Sequence, residues 1–218
     1  MKPSPVVGFW GPARLTATGF ILLILAGTVA LMLPFAAHGQ TWTPLMPAVF
    51  TATSAVSLTG LVVEDTATYW TPFGQVVILI LIQLGGLGIM SVASLSGMVI
   101  TGRISLRARG RGAAEGRPIS AGGIRRSLVF TLAFTLIAEG VVAFILWLRF
   151  WLGYGHTPLR AAWEGVFHAV SAFNNAGFST QSDNAVPFAA DAWVLLPLAV
   201  AFIGGGLGYC LLYTSDAA

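Results

Sequence analysis

The chain has 218 residues, of which 56% are hydrophobic and only 9% charged, and its mean hydropathy is +0.82. Soluble domains carry about 25% charged residues, so too few charges are present to clothe a water-facing surface. A soluble globular enzyme is excluded, and an integral membrane protein is indicated. The eleven Lys and Arg exceed the eight Asp and Glu. Seven of those eleven lie between Arg103 and Arg126, flanked by apolar runs. That clustering is the pattern of a cytoplasmic loop and not of a nucleic-acid surface. The single Cys210 leaves no intrachain disulfide.

A helix crossing the hydrocarbon core needs about 20 apolar residues. In chain order, the uncharged or nearly uncharged stretches predict spans near Leu15–Ala36, Pro72–Thr101, Ser127–Trp151 and Ala192–Leu212. Two further apolar segments, Pro44–Leu61 and Gly165–Thr180, are short and rich in Gly, Ser, Thr and Asn. Lys2 and Arg14 place the N-terminus inside, and the arginine-rich loop also belongs inside. Both conditions hold only if Pro44–Leu61 enters and leaves on one side, so it is expected to be re-entrant. Such backbone survives at membrane depth only when buried in protein or lining a wet cavity.

The chain also repeats itself. Ala48-Val49-Phe50, Ser54-Ala55 and Gly60 match Gly165-Val166-Phe167, Ser171-Ala172 and Gly177 in order and spacing, and Gly85-Gly86-Leu87-Gly88 recurs as Gly205-Gly206-Leu207-Gly208. The expected fold is all-α and integral to the membrane, with tandem parallel helix–pore loop–helix repeats. Residues 1–14 form a cytoplasmic N-terminus, 15–101 the first unit, 102–126 a basic cytoplasmic loop and 127–212 the second unit. Both copies enter from the cytoplasm, so they are parallel copies about an axis along the membrane normal, which suits a central pore.

A short helix starting near Pro47 would aim its negative C-terminal end into the membrane, favouring a cation. The run Ser57-Leu58-Thr59-Gly60-Leu61, read as extended, would offer carbonyls in place of a hydration shell. Its counterpart is Asn174-Asn175-Ala176-Gly177-Phe178. Neither run holds a carboxylate, so selection would rest on backbone dipoles, which suits a large monovalent cation.

Other features have plainer readings. The glycine clusters follow no strand and lack the G-x-G-x-x-G spacing of a nucleotide loop; close helix packing explains them. Glu139, mid-span, is read as hydrogen-bonded between helices or protonated, against the functional role such residues often have. His168 is read as a packing or locally hydrogen-bonded residue and not a metal ligand. His38 and His156 are expected to be solvated. Trp10, Trp42, Trp70, Trp151 and Trp163 are expected to anchor span ends at the interface.

Thr51 to Met90, TATSAVSLTGLVVEDTATYWTPFGQVVILILIQLGGLGIM, resembles the first pore unit of the Trk/Ktr/HKT superfamily of potassium transporters, closest to the Ktr/Trk membrane subunit. Val166 to Thr180, VFHAVSAFNNAGFST, looks like its second pore unit. The resemblance implies four such units around one pore, of which this chain holds two. It implies potassium at the carbonyls of Leu58, Thr59 and Gly60, and of Asn175, Ala176 and Gly177. It implies a multi-pass protein of the plasma (inner) membrane in contact with lipid, a homodimer, and a cytosolic regulatory subunit that holds a nucleotide. No cofactor is expected in this chain itself. Sodium-permeable members tend to put Ser at the first filter glycine, so Gly60 leans toward potassium. A cation pathway for sodium or ammonium, and a non-catalytic membrane scaffold, are the alternatives. An enzyme would need convergent groups, and the spans hold only Glu139 and His168. The end from Cys210 onward does not resemble the family's continuation. Residues 213–218 read as a non-native tail, a truncation or sequencing scar, and the chain as a fragment.

Overall fold

The computed structural model describes residues 12–39, 42–88 and 121–215. These are all-helical: α1 Pro12–Met32, α2 Leu45–Ser57, α3 Pro72–Gly88, α4 Ala121–Tyr154, α5 Pro158–Phe173 and α6 Ala192–Ser215, with one 3₁₀ turn at Val186–Phe188. Among the described residues there is no strand, only an isolated bridge between Ala37 and Trp70.

Pro34 lacks the N–H that would continue α1, and the chain turns there. The turn is clasped to the start of α3. His38 N–H donates to Tyr69 O at 2.9 Å and Thr71 N–H to Ala36 O at 3.0 Å, while Thr71 Oγ1 donates to Phe35 O at 2.7 Å. Pro72 and Pro158 stand at the first positions of α3 and α5, where a missing N–H costs nothing and the fixed φ favours a helix.

Two apolar clusters hold the helices together. The first packs Leu31 of α1, Ala48, Ala52 and Val56 of α2, and Ile78 and Ile82 of α3 around Trp70. The second joins Val142, Leu146 and Phe150 of α4 to Ala161 and Phe173 of α5 and Val194 of α6. Helix α5 belongs to both, because Phe167 and Val170 enter the first cluster from its other face. The two halves therefore share one short buried helix. Large apolar side chains such as Leu22, Val29, Ile137 and Val200 remain more than half exposed on the outside of α1, α4 and α6.

Several expected boundaries move. The second short helix begins at Pro158 and not at Gly165, since Pro158 starts a helical turn that Thr157 precedes. Helix α4 begins at Ala121, so residues 121–126, expected in the loop, are helical; 102–120 lie outside the described residues. The span expected over Pro72–Thr101 is described only to residue 88. Helix α6 runs through the expected start of the tail to Ser215, and 216–218 lie outside the described residues. Among those described, Thr131–Tyr154 is the one helical stretch long and apolar enough to cross a membrane; the other apolar helices, including Thr16–Met32 and Pro72–Gly88, are described over shorter lengths. Trp70 is fully buried within the protein, and Trp163 turns inward to donate from Nε1 to Gln75 Oε1 at 2.8 Å. Trp10 lies outside the described residues.

Candidate functional site

The two short helices end alike. Leu58 caps α2 in the left-handed region at φ 57; its N–H donates to Ala55 O at 3.4 Å, and Thr59 N–H donates to Ser54 O at 3.0 Å. At the matching positions after α5, Asn175 has φ 58, its N–H donates to Ala172 O at 3.0 Å, and Ala176 N–H donates to Ser171 O at 2.8 Å. These bonds satisfy carbonyls that a helix end leaves open. They also turn the chain abruptly, so the run expected to be extended from Ser57 and Asn174 starts instead at Thr59 and Ala176. Ser57 is the last residue of α2, and Asn174 caps α5 in a helical conformation.

A glycine follows two residues after each of the left-handed residues Leu58 and Asn175. Gly60 has φ +70 and Gly177 φ +73, a region that costs a side-chain-bearing residue strain. They meet. A Cβ on Gly60 would lie 2.6 Å from Ala176 O and 3.0 Å from Gly177 Cα, and one on Gly177 would lie 3.3 Å from Gly60 Cα. The segments bearing the expected carbonyl residues Leu58, Thr59, Gly60 and Leu61, and Asn175, Ala176, Gly177 and Phe178, are thus brought together backbone to backbone. One carbonyl is already engaged: Ser171 Oγ donates to Phe178 O at 2.6 Å, which ties that oxygen to α5.

The glycine clusters explain how the longer helices come so near. A Cβ on Gly85 of α3 would collide with Val56 O, and one on Gly205 of α6 would collide with Phe173 O. Val56 and Phe173 occupy matching places in the last turns of α2 and α5. Small residues at these points permit backbone-to-backbone packing.

A polar knot lies where α5 ends. Asn174 Nδ2 donates to Glu139 Oε1 of α4 at 3.0 Å, to Gln83 Oε1 of α3 at 3.2 Å and to Val170 O at 2.9 Å. Asn174 Oδ1 sits against Gly86. Glu139 is thus hydrogen-bonded between helices, as expected, but its partners were not legible: a lone carboxylate and a lone amide in apolar spans say that each needs a partner, not which one. His156, expected to be solvated, instead places Nδ1 2.9 Å from Glu164 Oε2, while Arg160 Nε donates to Glu164 Oε1 at 2.8 Å. His168 is buried, with Nδ1 2.7 Å from Glu164 O and Nε2 3.0 Å from Ser179 Oγ. Among the described residues no group of three or more His, Cys, Asp and Glu is placed to hold a metal ion.

On the loop after the first glycine segment, Asp65 caps its own turn, accepting from Ala67 N–H at 2.9 Å and from Thr68 Oγ1 at 3.1 Å. Burial pushes this carboxyl up, but hydrogen bonds from Ser182 of the second half, Ala67 and Thr68 outweigh it and hold it below the usual value.

Residues 14–215 match the family model of a cation transport protein, TrkH. The chain is 40% identical over 204 residues to the Ktr system potassium uptake protein B of Bacillus subtilis, covering 93% of this chain and 44% of that protein. It is 35% identical over 211 residues to the protein of the same name from Vibrio alginolyticus, at 93% and 44% coverage. It is 34% identical over 200 residues to the potassium/sodium uptake protein NtpJ of Enterococcus hirae, at 91% and 44%. The chain thus spans less than half the length of the curated relatives it matches. It belongs to the TrkH family of cation transport proteins and is an integral membrane protein.

Proposed function

We propose that this chain forms two neighbouring sectors of a potassium uptake pathway, built as two parallel helix–pore loop–helix units with the N-terminus in the cytoplasm. The selecting atoms are the backbone carbonyls of Leu58, Thr59 and Gly60 and of Asn175, Ala176 and Gly177. The observation that carries this reading is the meeting of Gly60 and Gly177, both at positive φ and each just past the C-terminal turn of a short buried helix. The two helix ends contribute partial negative charge near the glycine segments. Carbonyls held in place by the Ser54 and Ser171 turns can replace a cation's water shell without reorganising. No side-chain carboxylate stands in either segment, which favours a weakly hydrated monovalent ion over a divalent one.

Two sectors make half a ring. The rest of the ring comes from further units of the complete transporter, which works as a homodimer with a cytosolic subunit that binds a regulatory nucleotide. The names of the potassium uptake relatives support the substrate, and Gly60, where Ser would accompany sodium permeation, supports potassium over sodium. The test is uptake by the full-length transporter bearing this sequence in a bacterial strain unable to grow on low potassium. Gly60→Ser should lower the preference for potassium over sodium. Unchanged growth and unchanged preference would remove Gly60 from the pathway.

A further inference from the structure

We propose that His168 is a positioning residue for the second glycine segment: it holds Ser179, and through it the backbone leaving Gly177, against α5. The inference rests on the filter reading above and adds to it a group that touches no ion.

The bond directions are determined by chemistry. The Glu164 carbonyl can only accept, so the Nδ1 that lies 2.7 Å from it carries the proton. A neutral ring then has only a lone pair at Nε2, and Ser179 Oγ, 3.0 Å away, donates to it. The serine oxygen in turn accepts from Gln181 N–H at 3.0 Å. Three polar groups are thus used in one sense, from the α5 backbone through the ring to the chain two residues beyond the glycine. His168 and Ser179 are both buried, and the ring is walled edge-on by Phe150, Phe167 and Phe188.

This tie works with a second. Ser171 Oγ holds Phe178 O at 2.6 Å, so residues 178 and 179 are both pinned to the helix behind them. A carbonyl ring discriminates between ions only if its oxygens keep their places. The first unit lacks the same device. At the positions matching His168 and Ser179 stand Thr51, whose buried Oγ1 has no hydrogen-bond partner among the described residues, and Val62, which has no hydroxyl. There Ser54 Oγ instead accepts from Thr59 Oγ1 at 3.0 Å, inside the segment. The second segment is therefore held from outside its glycine, by His168.

The test uses the full-length transporter in membrane vesicles, measuring rubidium uptake, its inhibition by sodium, and the amount of transporter in the membrane by immunoblot. His168→Asn keeps a donor for Glu164 O and loses reach to Ser179; His168→Gln restores an acceptor near the Nε2 position. His168→Asn and Ser179→Ala should each lower the potassium-over-sodium preference measurably, by up to about five-fold, the limit reached if one net hydrogen bond serves the potassium state alone. His168→Gln should stay within about two-fold of the parent, and the double variant should be no worse than the worse single one. Equal losses in His168→Asn and His168→Gln, or an unchanged preference in Ser179→Ala, would overturn the proposal. If His168→Asn fails to reach the membrane, Ser179→Ala breaks the same bond with α5 intact and decides alone. Gly177→Ser is run beside them. If it loosens selectivity while Ser179→Ala does not, only the positioning role falls; if it too changes nothing, the filter reading falls with it.

Discussion

Gly60 and Gly177 touch unequally: a methyl group on Gly60 would fall 2.6 Å from the Ala176 carbonyl oxygen, whereas one on Gly177 would meet only Gly60 Cα, at 3.3 Å. Both residues have positive φ, which costs a side-chain-bearing residue about 1–2 kcal/mol. Only Gly60→Ala adds a hard collision with backbone, worth about 1–3 kcal/mol more. Gly60→Ala should therefore lower the melting temperature of the detergent-solubilised transporter more than Gly177→Ala does. Equal shifts would contradict the asymmetric contact.

Neighbouring glycines on α6 make a sharper comparison. A Cβ on Gly204 meets nothing within 4 Å, whereas one on Gly205 collides with Phe173 O. Gly204→Ala should be neutral or stabilising by up to about 1 kcal/mol through helix propensity. Gly205→Ala should be among the most damaging substitutions in the helix, seen as loss of folded transporter in size-exclusion profiles. Tolerance of Gly205→Ala would refute the close approach of α6 to the end of α5.

The Asn174 knot gives a third expectation. Glu139→Gln keeps an oxygen where Asn174 Nδ2 donates, while Glu139→Leu removes it and leaves a buried donor with one acceptor fewer. Gln83 Oε1 and Val170 O still accept from that nitrogen, so the loss is one net hydrogen bond, about 0.5–1.5 kcal/mol, and the leucine variant should melt below the glutamine variant. Indistinguishable melting curves would show that the 3.0 Å bond contributes nothing to stability.

Asp191, at the start of α6, sets an acid-side dependence. Its Oδ2 accepts from Arg149 Nε at 2.7 Å and Tyr154 OH at 2.9 Å, and its Oδ1 from Trp193 N–H at 3.0 Å. Desolvation acts to raise this carboxyl, but the bonds from Arg149, Tyr154 and Trp193 prevail and hold it below its usual value. A carboxyl lowered on folding stabilises the folded state above its unfolded-state pKa, and that contribution is lost as pH falls through the lower folded value. Thermal stability should fall on acidification, and Arg149→Met should flatten that part of the profile. A profile that keeps its slope in the variant would place its origin elsewhere.

The proposed topology predicts opposite sides for Ser120, in the basic loop, and Thr68, exposed on the loop before α3. With Cys210→Ser as background, an impermeant thiol reagent applied to intact cells should label Thr68→Cys and not Ser120→Cys. Labelling of Ser120→Cys from outside would invert the arrangement.

What the residues alone determined was set by composition and local order. Scarce charge excluded a soluble fold, and the recurrence of Ser-Ala before a glycine located both turns, because a helix cap and a positive φ are decided within a few residues of chain. The limits of that local reading show at α5, which begins at Pro158 and not Gly165: Arg160 and Glu164 interrupt the apolar run over its first two turns, so hydropathy missed them. Tertiary structure alone decided that Gly60 faces Gly177 and that Glu139 and Gln83 both serve Asn174. Each of these pairings depends on how helices cross, and the crossing is set by backbone contacts at Gly85 and Gly205. A glycine in sequence leaves room for close approach; only the packed helices determine what fills it.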